Sequence, residues 1–252
     1  QTCALPIFWL ISFFTLGSVL GSFANVCIWR LPRKESIAWP PSHCPHCQGK
    51  LRPQHLLPLI SWLALRGKCA MCKGTISIRY PAVELATALL FAAIGYRWQL
   101  SITSLQYCTL SLALIISVAT DISHREVPDE VSLGSAAILA VVAIVTAQWG
   151  HLLGGILLFS ILFLIAVASR GGMGGGDIKL ALAIGLGLGW KLALVSLALA
   201  IVVGGVLATA LLLRGNRGKA LPFAPFLAAG TWITMFCGEK LVEFYLSIVL
   251  RL

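Results

Sequence analysis

Charged residues are scarce in this sequence: Asp, Glu, Lys and Arg together make up 11% of its 252 residues, and only nine of them are acidic. Hydrophobic residues make up 58%, and the mean hydropathy is +0.91. A typical soluble domain has about 25% charged residues. So few charged residues cannot cover the surface of a water-soluble protein. The composition therefore excludes a soluble globular domain and indicates a membrane protein.

The sequence also lacks any stretch in which aromatic residues alternate with Lys and Arg, the pattern typical of single-stranded nucleic-acid binding. The net charge of +10 is therefore assigned to membrane topology and anionic lipid headgroups, and no nucleic-acid partner is expected. If the apolar spans alternate in direction, 15 of the 19 basic residues lie on one side. The positive-inside tendency predicts that this side is cytoplasmic and that both termini lie outside.

Apolar runs suffice for about eight crossings, since a hydrocarbon core of about 30 Å needs about 20 helical residues. We predict an all-α polytopic membrane protein with spans at residues 5–29, 81–98, 102–121, 130–149, 152–169, 178–192, 193–213 and 222–248. The sixth span is short and glycine-rich, so we expect it to tilt or to form a tight hairpin with the seventh, and seven spans are the alternative. The first is expected to be a retained helix, because it lacks the basic region and cleavage site of a secretory signal.

One segment, residues 30–80, is rich in Pro, Lys and Arg and contains four of the eight cysteines. Two CxxC turns, Cys44 with Cys47 and Cys69 with Cys72, are separated by 21 residues. This spacing suits a tetrahedral zinc ion, whose four thiolates leave no open position for catalysis. Disulfides are the less favoured alternative, because the cytoplasm keeps thiols reduced.

The predicted domain order follows from this segment. We expect a first transmembrane helix at 1–29, a small cytoplasmic zinc-binding loop domain at 30–80 and a transmembrane core at 81–252. Within the loop domain, Gly49 and Gly74 are expected to supply turns with positive φ. His43 and His46 flank the first pair and could replace a cysteine ligand, but surface positions are the favoured interpretation for both.

Two of the nine acids are expected at one membrane boundary, where ionisation is costly and function is the default hypothesis. Asp121 ends the third span and Asp177 begins the sixth. If they meet, one carboxyl holds a proton while the other acts as a base, which would activate water against a peptide carbonyl. N-capping of a helix alone would explain Asp177. It would not explain Asp121 at a helix C-terminus, where the macrodipole disfavours an anion.

Five glycines between 171 and 176 precede Asp177. Such a loop lets the backbone bend and lets an extended peptide approach the acid without meeting a Cβ. The alternative is a simple linker between two spans.

Several motifs together resemble those of bacterial type IV prepilin peptidases, which are polytopic aspartyl proteases with a Gly-x-Gly-Asp motif. They are GSFANVCIWRLP at 21–32, the two CxxC turns, RYPAVELATALLF at 79–91, TDISHREVPDE at 120–130, GMGGGDIKL at 172–180 and LPFAPFLAAG at 221–230. The resemblance covers nearly the whole chain in the same order.

This resemblance implies that the chain lies in the bacterial inner membrane and cuts the basic leader from type IV prepilins or pseudopilins. Cleavage is expected after a glycine on the cytoplasmic side, and S-adenosylmethionine then methylates the new N-terminus. Asp121 and Asp177 match the catalytic pair, and Gly174, Gly175 and Gly176 belong to the substrate-side motif. Gly67 and Lys68 fall in a region associated with methyl transfer, although no glycine-rich cofactor fingerprint is present. The four cysteines match the family's zinc-type loop.

Three further acids form a small cluster beside Asp121. Charge complementarity suggests that Glu126, Asp129 and Glu130 receive the basic leader. The alternative makes them loop acids, with Asp129 as the N-cap of the fourth span. Glu84 is expected to pair with Arg79 or with a polar group on another helix.

Two other functions stay open on residues alone. An ion-coupled transporter also combines membrane acids with broken, glycine-rich helices, but such folds usually repeat the break in both halves, and residues 1–100 do not repeat it. A non-enzymatic membrane anchor whose zinc module docks a partner is the third possibility.

Overall fold

The computed structural model describes residues 4–44, 46–169, 172–213 and 222–249. In these ranges the regular secondary structure is helical, and the β-structure consists of two isolated bridges. The α-helices are α1 (Ala4–Arg30), α2 (Ile60–Ala64), α3 (Arg79–Trp98), α4 (Ile102–His124), α5 (Asp129–Val145), α6 (Trp149–Ala168), α7 (Gly175–Leu188), α8 (Trp190–Leu213) and α9 (Ala224–Val249). The predicted all-α class is confirmed.

Four helices of the described ranges are long and apolar enough to cross a membrane. Their spans are Pro6–Arg33, Ile102–His124, Trp149–Ala168 and Trp190–Leu211. Each of the eight predicted spans coincides with one helix, but the count of eight membrane crossings stays a prediction. The reason is clearest in α7, whose 14 residues extend only about 21 Å, less than the thickness of a hydrocarbon core.

The chain divides into two compact units, residues 1–116 and 117–252. In the first unit, α1 and α3 pack so closely that their backbones nearly touch. A Cβ on Gly17 would lie 2.8 Å from the carbonyl oxygen of Thr87, and one on Gly21 would lie 2.8 Å from the Cα of Glu84. Two glycines four residues apart therefore form the contact face of α1, which is the small-xxx-small mode of helix packing in membranes.

Polar groups also hold α1 and α3 together. The side-chain amide of Asn25 on α1 donates a 3.0 Å hydrogen bond to the carbonyl oxygen of Tyr80 on α3. Buried Glu84 accepts a 2.8 Å bond from the backbone N–H of Leu59, which precedes α2, and a further bond from Ser22 on α1. Of the two kinds of partner expected for Glu84, a polar group on another helix is therefore present. The sequence did not predict the bond from the backbone N–H of Leu59 to Glu84.

In the second unit, glycines seat α7 against α6. A Cβ on Gly154 of α6 would lie 2.6 Å from the carbonyl oxygen of Gly185 on α7, so the two backbones are in contact. His151 adds a 2.9 Å hydrogen bond to the carbonyl oxygen of Leu186. The turn from α7 into α8 is a single residue, Gly189, at a φ of +76° that only glycine adopts without strain. The short turn fits the expectation, but the glycine face of α7 packs on α6, and the pairing of α7 with α8 in a tight hairpin stays a prediction.

Gly21→Ala should destabilise the first unit, because the new methyl group would collide with the backbone of α3. Overpacking of this kind costs about 1–3 kcal/mol, which should lower the melting temperature of the detergent-solubilised chain. Gly134→Ala in α5 is the matched control, since no described atom lies within 4 Å of a Cβ there. Equal melting temperatures for the two variants would contradict the packing described for α1 and α3.

Candidate active site and cysteine cluster

Asp121 lies in the last turn of α4 and is 7% exposed. Its Oδ2 accepts a 3.1 Å hydrogen bond from the backbone N–H of Ala224, the first residue of α9, and the N–H of Phe223 is a further donor. The first N–H groups of a helix have no partner within that helix and carry a partial positive charge. The start of α9 therefore stabilises the anion that the C-terminus of α4 disfavours.

This contact gives Asp121 a structural role that sequence reasoning missed. The positive charge of Arg125, four residues after Asp121, interacts favourably with the Asp121 carboxylate. The partner residue, Ala224, lies 103 positions away and contributes only its backbone. The one available signal was the motif LPFAPFLAAG, which contributed to the family resemblance without indicating a contact.

Asp177 lies in the first turn of α7, and the N-cap of that helix is Gly174, with no side-chain capping bond. The alternative that Asp177 caps its own helix is therefore wrong. The side chain is half-buried, and its Oδ1 is a buried oxygen with no hydrogen-bond partner among the described residues. A buried acceptor without a partner is costly, and such atoms call for a functional explanation.

The two acids lie near enough for their charges to interact. The negative charge of Asp121 acts on the Asp177 carboxyl as a repulsion. Two carboxyl groups that repel each other at one site cannot both ionise easily, so such a pair retains one proton. A pair of this kind could supply both an acid and a base.

The glycines before Asp177 serve different purposes. A Cβ on Gly176 would lie 2.8 Å from the Cβ of Val127, so this glycine is needed for close packing. At Gly175 no described atom lies within 4 Å of the same position, and at Gly174 the nearest is Asp177 Oδ2 at 3.5 Å. The open side of Gly174 and Gly175 is where a peptide could approach. Gly171 lies outside the described residues.

The acidic cluster is only partly available to a ligand. Asp129 accepts a 2.6 Å salt bridge from the Nζ of Lys179, which joins the start of α5 to α7. The N-cap of α5 is Pro128, so the expectation that Asp129 caps this helix is wrong. Glu126 and Glu130 are exposed.

The two CxxC turns have the same backbone geometry. Cys44 donates its N–H to the carbonyl oxygen of Gly49 at 3.0 Å, and Cys69 donates to Gly74 at 2.8 Å. An antiparallel bridge flanks each turn. The pairs therefore form two equivalent loops that present their sulfurs together.

The positive φ expected at the two glycines of these loops lies one residue earlier. Gln48 has a φ of +57° and Lys73 a φ of +62°. Space is limited at both glycines: a Cβ at Gly49 would meet the end of the Met71 side chain and lie 3.3 Å from the Cys47 sulfur, and one at Gly74 would lie 3.2 Å from the ring of His46. The glycines are explained by space and not by backbone conformation.

The four cysteine sulfurs form a group that could hold a metal ion, since all of them lie within 4.8 Å of one another. The Sγ atoms of Cys44 and Cys72 are 3.9 Å apart, close to the roughly 3.8 Å edge of a tetrahedron with metal–sulfur bonds of about 2.3 Å. The pKa of the Cys69 thiol is lowered to about 6, because the backbone N–H groups of Cys72 and Met71 point at its sulfur. Thiolate is the form that binds metal.

Neither neighbouring histidine belongs to this group of ligands in the described residues. His43 is exposed, and its Nδ1 lies 3.1 Å from the carbonyl oxygen of Pro41. His46 is exposed as well and packs against Gly74. The surface interpretation of both histidines fits these positions.

Gly67 and Lys68 lie directly before the second cysteine pair. Gly67 has a φ of +67°, and a Cβ there would lie 3.0 Å from the ring of Trp62. The side chain of Lys68 is exposed, and its backbone bridges to Thr75. The turn and the packing of Trp62 explain the glycine at 67.

Two family models match the chain. The bacterial peptidase A24 N-terminal domain matches residues 15–98, which include the cysteine cluster. The type IV leader peptidase family matches residues 108–209, which include Asp121 and Asp177. Together the two matches cover more than half of the sequence.

Whole-length relatives agree with these matches. Proteins named prepilin leader peptidase/N-methyltransferase from Bacillus subtilis, Stutzerimonas stutzeri and Pseudomonas aeruginosa are 36%, 32% and 32% identical to the chain. The alignments cover 94%, 96% and 96% of this chain and 98%, 95% and 95% of the relatives. No solved structure gives a significant match. The family predicted from the motifs is confirmed: the chain belongs to the type IV leader peptidase family and is a membrane peptidase.

Proposed function

We propose that the chain hydrolyses the peptide bond between the basic leader and the mature part of type IV prepilins or pseudopilins. Cleavage follows a glycine, on the cytoplasmic side of the membrane. The names of the relatives support this class of substrate. The observation that carries the proposal is the pair formed by Asp121 and Asp177, in which one carboxyl has backbone donors and the other has an unbonded oxygen.

The unequal surroundings of the two acids suggest their roles. Donors at the start of α9 favour the ionised form of Asp121, which makes it the base that takes a proton from water. Asp177, repelled by that charge, carries the proton and donates it toward the peptide carbonyl oxygen. Water adds to the carbonyl carbon, the C–N bond breaks, and the departing amine receives a proton.

The substrate backbone is proposed to lie over the open side of Gly174 and Gly175. This surface adjoins Asp177 and has room for a peptide strand, whereas Gly176 is already in contact with Val127. A side chain at either open position would stand between the strand and the acid.

The leader is proposed to interact with the acidic cluster. Exposed Glu126 and Glu130 are directly available to its Lys and Arg residues. Asp129 becomes available if a leader cation replaces Lys179 in the exposed salt bridge, which at 35% and 55% side-chain exposure is a weak interaction.

Methyl transfer to the new N-terminal amine is proposed as a second activity, because the relatives are named as N-methyltransferases. S-adenosylmethionine would supply the methyl group. Of the two residues expected at its site, Lys68 has an exposed ammonium group that can pair with the donor's carboxylate. Gly67 stays a proposed contact through its backbone, since it has no side chain and the ring of Trp62 lies beside it.

We propose that the cysteine cluster binds a structural zinc ion. Four thiolates, whose sulfurs lie within 4.8 Å of one another, would complete its coordination and leave no position for water or substrate. Zinc would hold the two CxxC loops together and take no part in hydrolysis.

Replacement of either aspartate by asparagine should abolish cleavage. Asp121→Asn and Asp177→Asn each remove a proton-transfer group, and the loss should be about 10²-fold to 10⁴-fold or more. Membranes containing each variant are mixed with a pilin-like precursor, and release of the leader is measured. Glu239→Gln, at an exposed acid on α9, serves as the matched control and should cleave normally. Cleavage that survives at one aspartate removes it from the mechanism.

Reversal of the leader contacts should weaken binding without slowing the chemical step. The double variant Glu126→Lys, Glu130→Lys should raise KM several-fold with kcat nearly unchanged, since exposed ion pairs are each worth about 0.2–1 kcal/mol. Steady-state kinetics on a precursor with a basic leader provides the measurement. Glu243→Lys, an equal charge change near the end of α9, is the control. An unchanged KM would refute this role of the acidic cluster.

Zinc should be present in the purified chain at about one ion for each cluster of four cysteines. Elemental analysis should show its loss in Cys69→Ser, because the three remaining thiolates bind it less tightly. Cys237→Ser, at a cysteine outside the cluster, should keep the metal. Equal zinc content in these two variants would show that the cluster is not the metal site.

A further inference from the structure

The cysteine-rich segment presents an apolar surface on α2 and the turn before it. Ile60 and Leu63, 64% and 67% exposed, lie three residues apart on α2 and share one side, and Leu57 in the turn before it is 52% exposed. Leu56 extends this surface, which we call the α2 face. Ser61, by contrast, is buried. A helix on a water-facing domain has the opposite arrangement, with its apolar side turned inward.

The position of α2 along the packed pair of α1 and α3 indicates what surrounds the α2 face. The N–H of Leu59, directly before α2, donates to the carboxylate of Glu84 at 2.8 Å. Since α3 begins at Arg79, Glu84 lies five residues, or about 7.5 Å, along the helix axis. The chain before α2 therefore folds back beside the second turn of α3.

That level lies within the expected thickness of the bilayer. Glu84 faces Gly21 of α1, and α1 belongs to a candidate membrane span. The 27 residues of α1 extend about 40 Å, so a centred helix leaves about 5 Å outside a 30 Å hydrocarbon core at each end. Gly21 lies nine residues, about 13 Å, before Arg30 and hence about 8 Å inside the core. For a helix centred in this way, lipid is the medium at the level of Glu84.

The charge of the segment favours the same surroundings. Residues 30–80 contain nine basic residues and one acid, Glu35. Arg52 and Arg66 flank the α2 face and are exposed. Anionic headgroups attract each such cation by about 1 kcal/mol, and long basic side chains can lie along apolar surface while their charge reaches the headgroups. A basic leader, in contrast, would be repelled.

We propose that the α2 face is immersed in the adjacent leaflet of an anionic phospholipid bilayer. Leu56, Leu57, Ile60 and Leu63 contact acyl chains, Arg52 and Arg66 contact headgroup phosphates, and the bond from Leu59 to Glu84 fixes the depth. Backbone that is not part of a long helix is tolerated at this level where the protein supplies its hydrogen-bond partners, as Glu84 does. The cysteine cluster is thereby held at the membrane surface. This inference does not depend on the aspartate pair.

Photocrosslinking in bilayers tests the proposal. The full-length chain carries a benzophenone amino acid at residue 60 or 63 and is reconstituted in phosphatidylethanolamine with phosphatidylglycerol. After irradiation, mass spectrometry should find lipid adducts at a yield several-fold above that of the same label at Lys50, an exposed polar position of the first CxxC turn. Yields at 60 and 63 no higher than at Lys50 would overturn the proposal. Adducts to a second copy, or adducts to added precursor in place of lipid, would overturn it as well.

A label at a third position controls for disruption of α2 by the labels at residues 60 and 63. Leu57 lies outside the helix and is 52% exposed, so a label there should give lipid adducts even if a label at 60 or 63 disturbs α2. In addition, Glu84→Leu removes the oxygen that accepts the Leu59 bond, and the lipid-adduct yield at Leu57 should fall. Retention of the full yield in that variant would show that Glu84 does not set the depth.

Discussion

A buried carboxylate needs hydrogen-bond donors supplied by the protein, because burial removes most of its contact with solvent, and this constraint organises both units. Glu84 and Asp121 meet it in the same way. Each accepts a backbone N–H from the residue at the start of a helix, Leu59 before α2 and Ala224 at the head of α9. Asp177 is the exception, with one oxygen left unbonded in the described part of the chain. The satisfied acids hold segments together, and the unsatisfied acid is the reactive candidate.

Glycine contacts explain how the first turn of α7 is placed against the segment that follows Asp121. Gly185 lets the backbone of α7 rest on that of α6, and Gly176 lets its first turn rest on Val127, in the segment that follows Asp121. A larger residue at either position would push the helix outward and separate the two acids. The position of α7 therefore depends on missing side chains at Gly185 and Gly176.

Much of this could be predicted from the sequence, and the remainder could not for identifiable reasons. Composition and apolar runs predicted the helices, and the spacing of Cys44, Cys47, Cys69 and Cys72 predicted their cluster, because both signals are local. The backbone bond from Ala224 to Asp121 joins residues too distant for any spacing rule. The salt bridge between Asp129 and Lys179 likewise crosses 50 positions. Side-chain chemistry pointed to Asp129 as a cap, but the preceding proline takes that position.

The repeated geometry of the two CxxC loops has a mechanical consequence for the chain between them. Each loop is closed by its own backbone bonds, so the sulfurs are arranged before any ion arrives. A metal that joins the two loops ties the ends of the intervening 21 residues into a ring, and Glu84 tethers the middle of that ring to α3. Closure of a chain at both ends reduces the conformations that it must lose on ordering. Without the ion, the segment between the two loops would be held to α3 only by the bond from Leu59 to Glu84 and would sample more conformations.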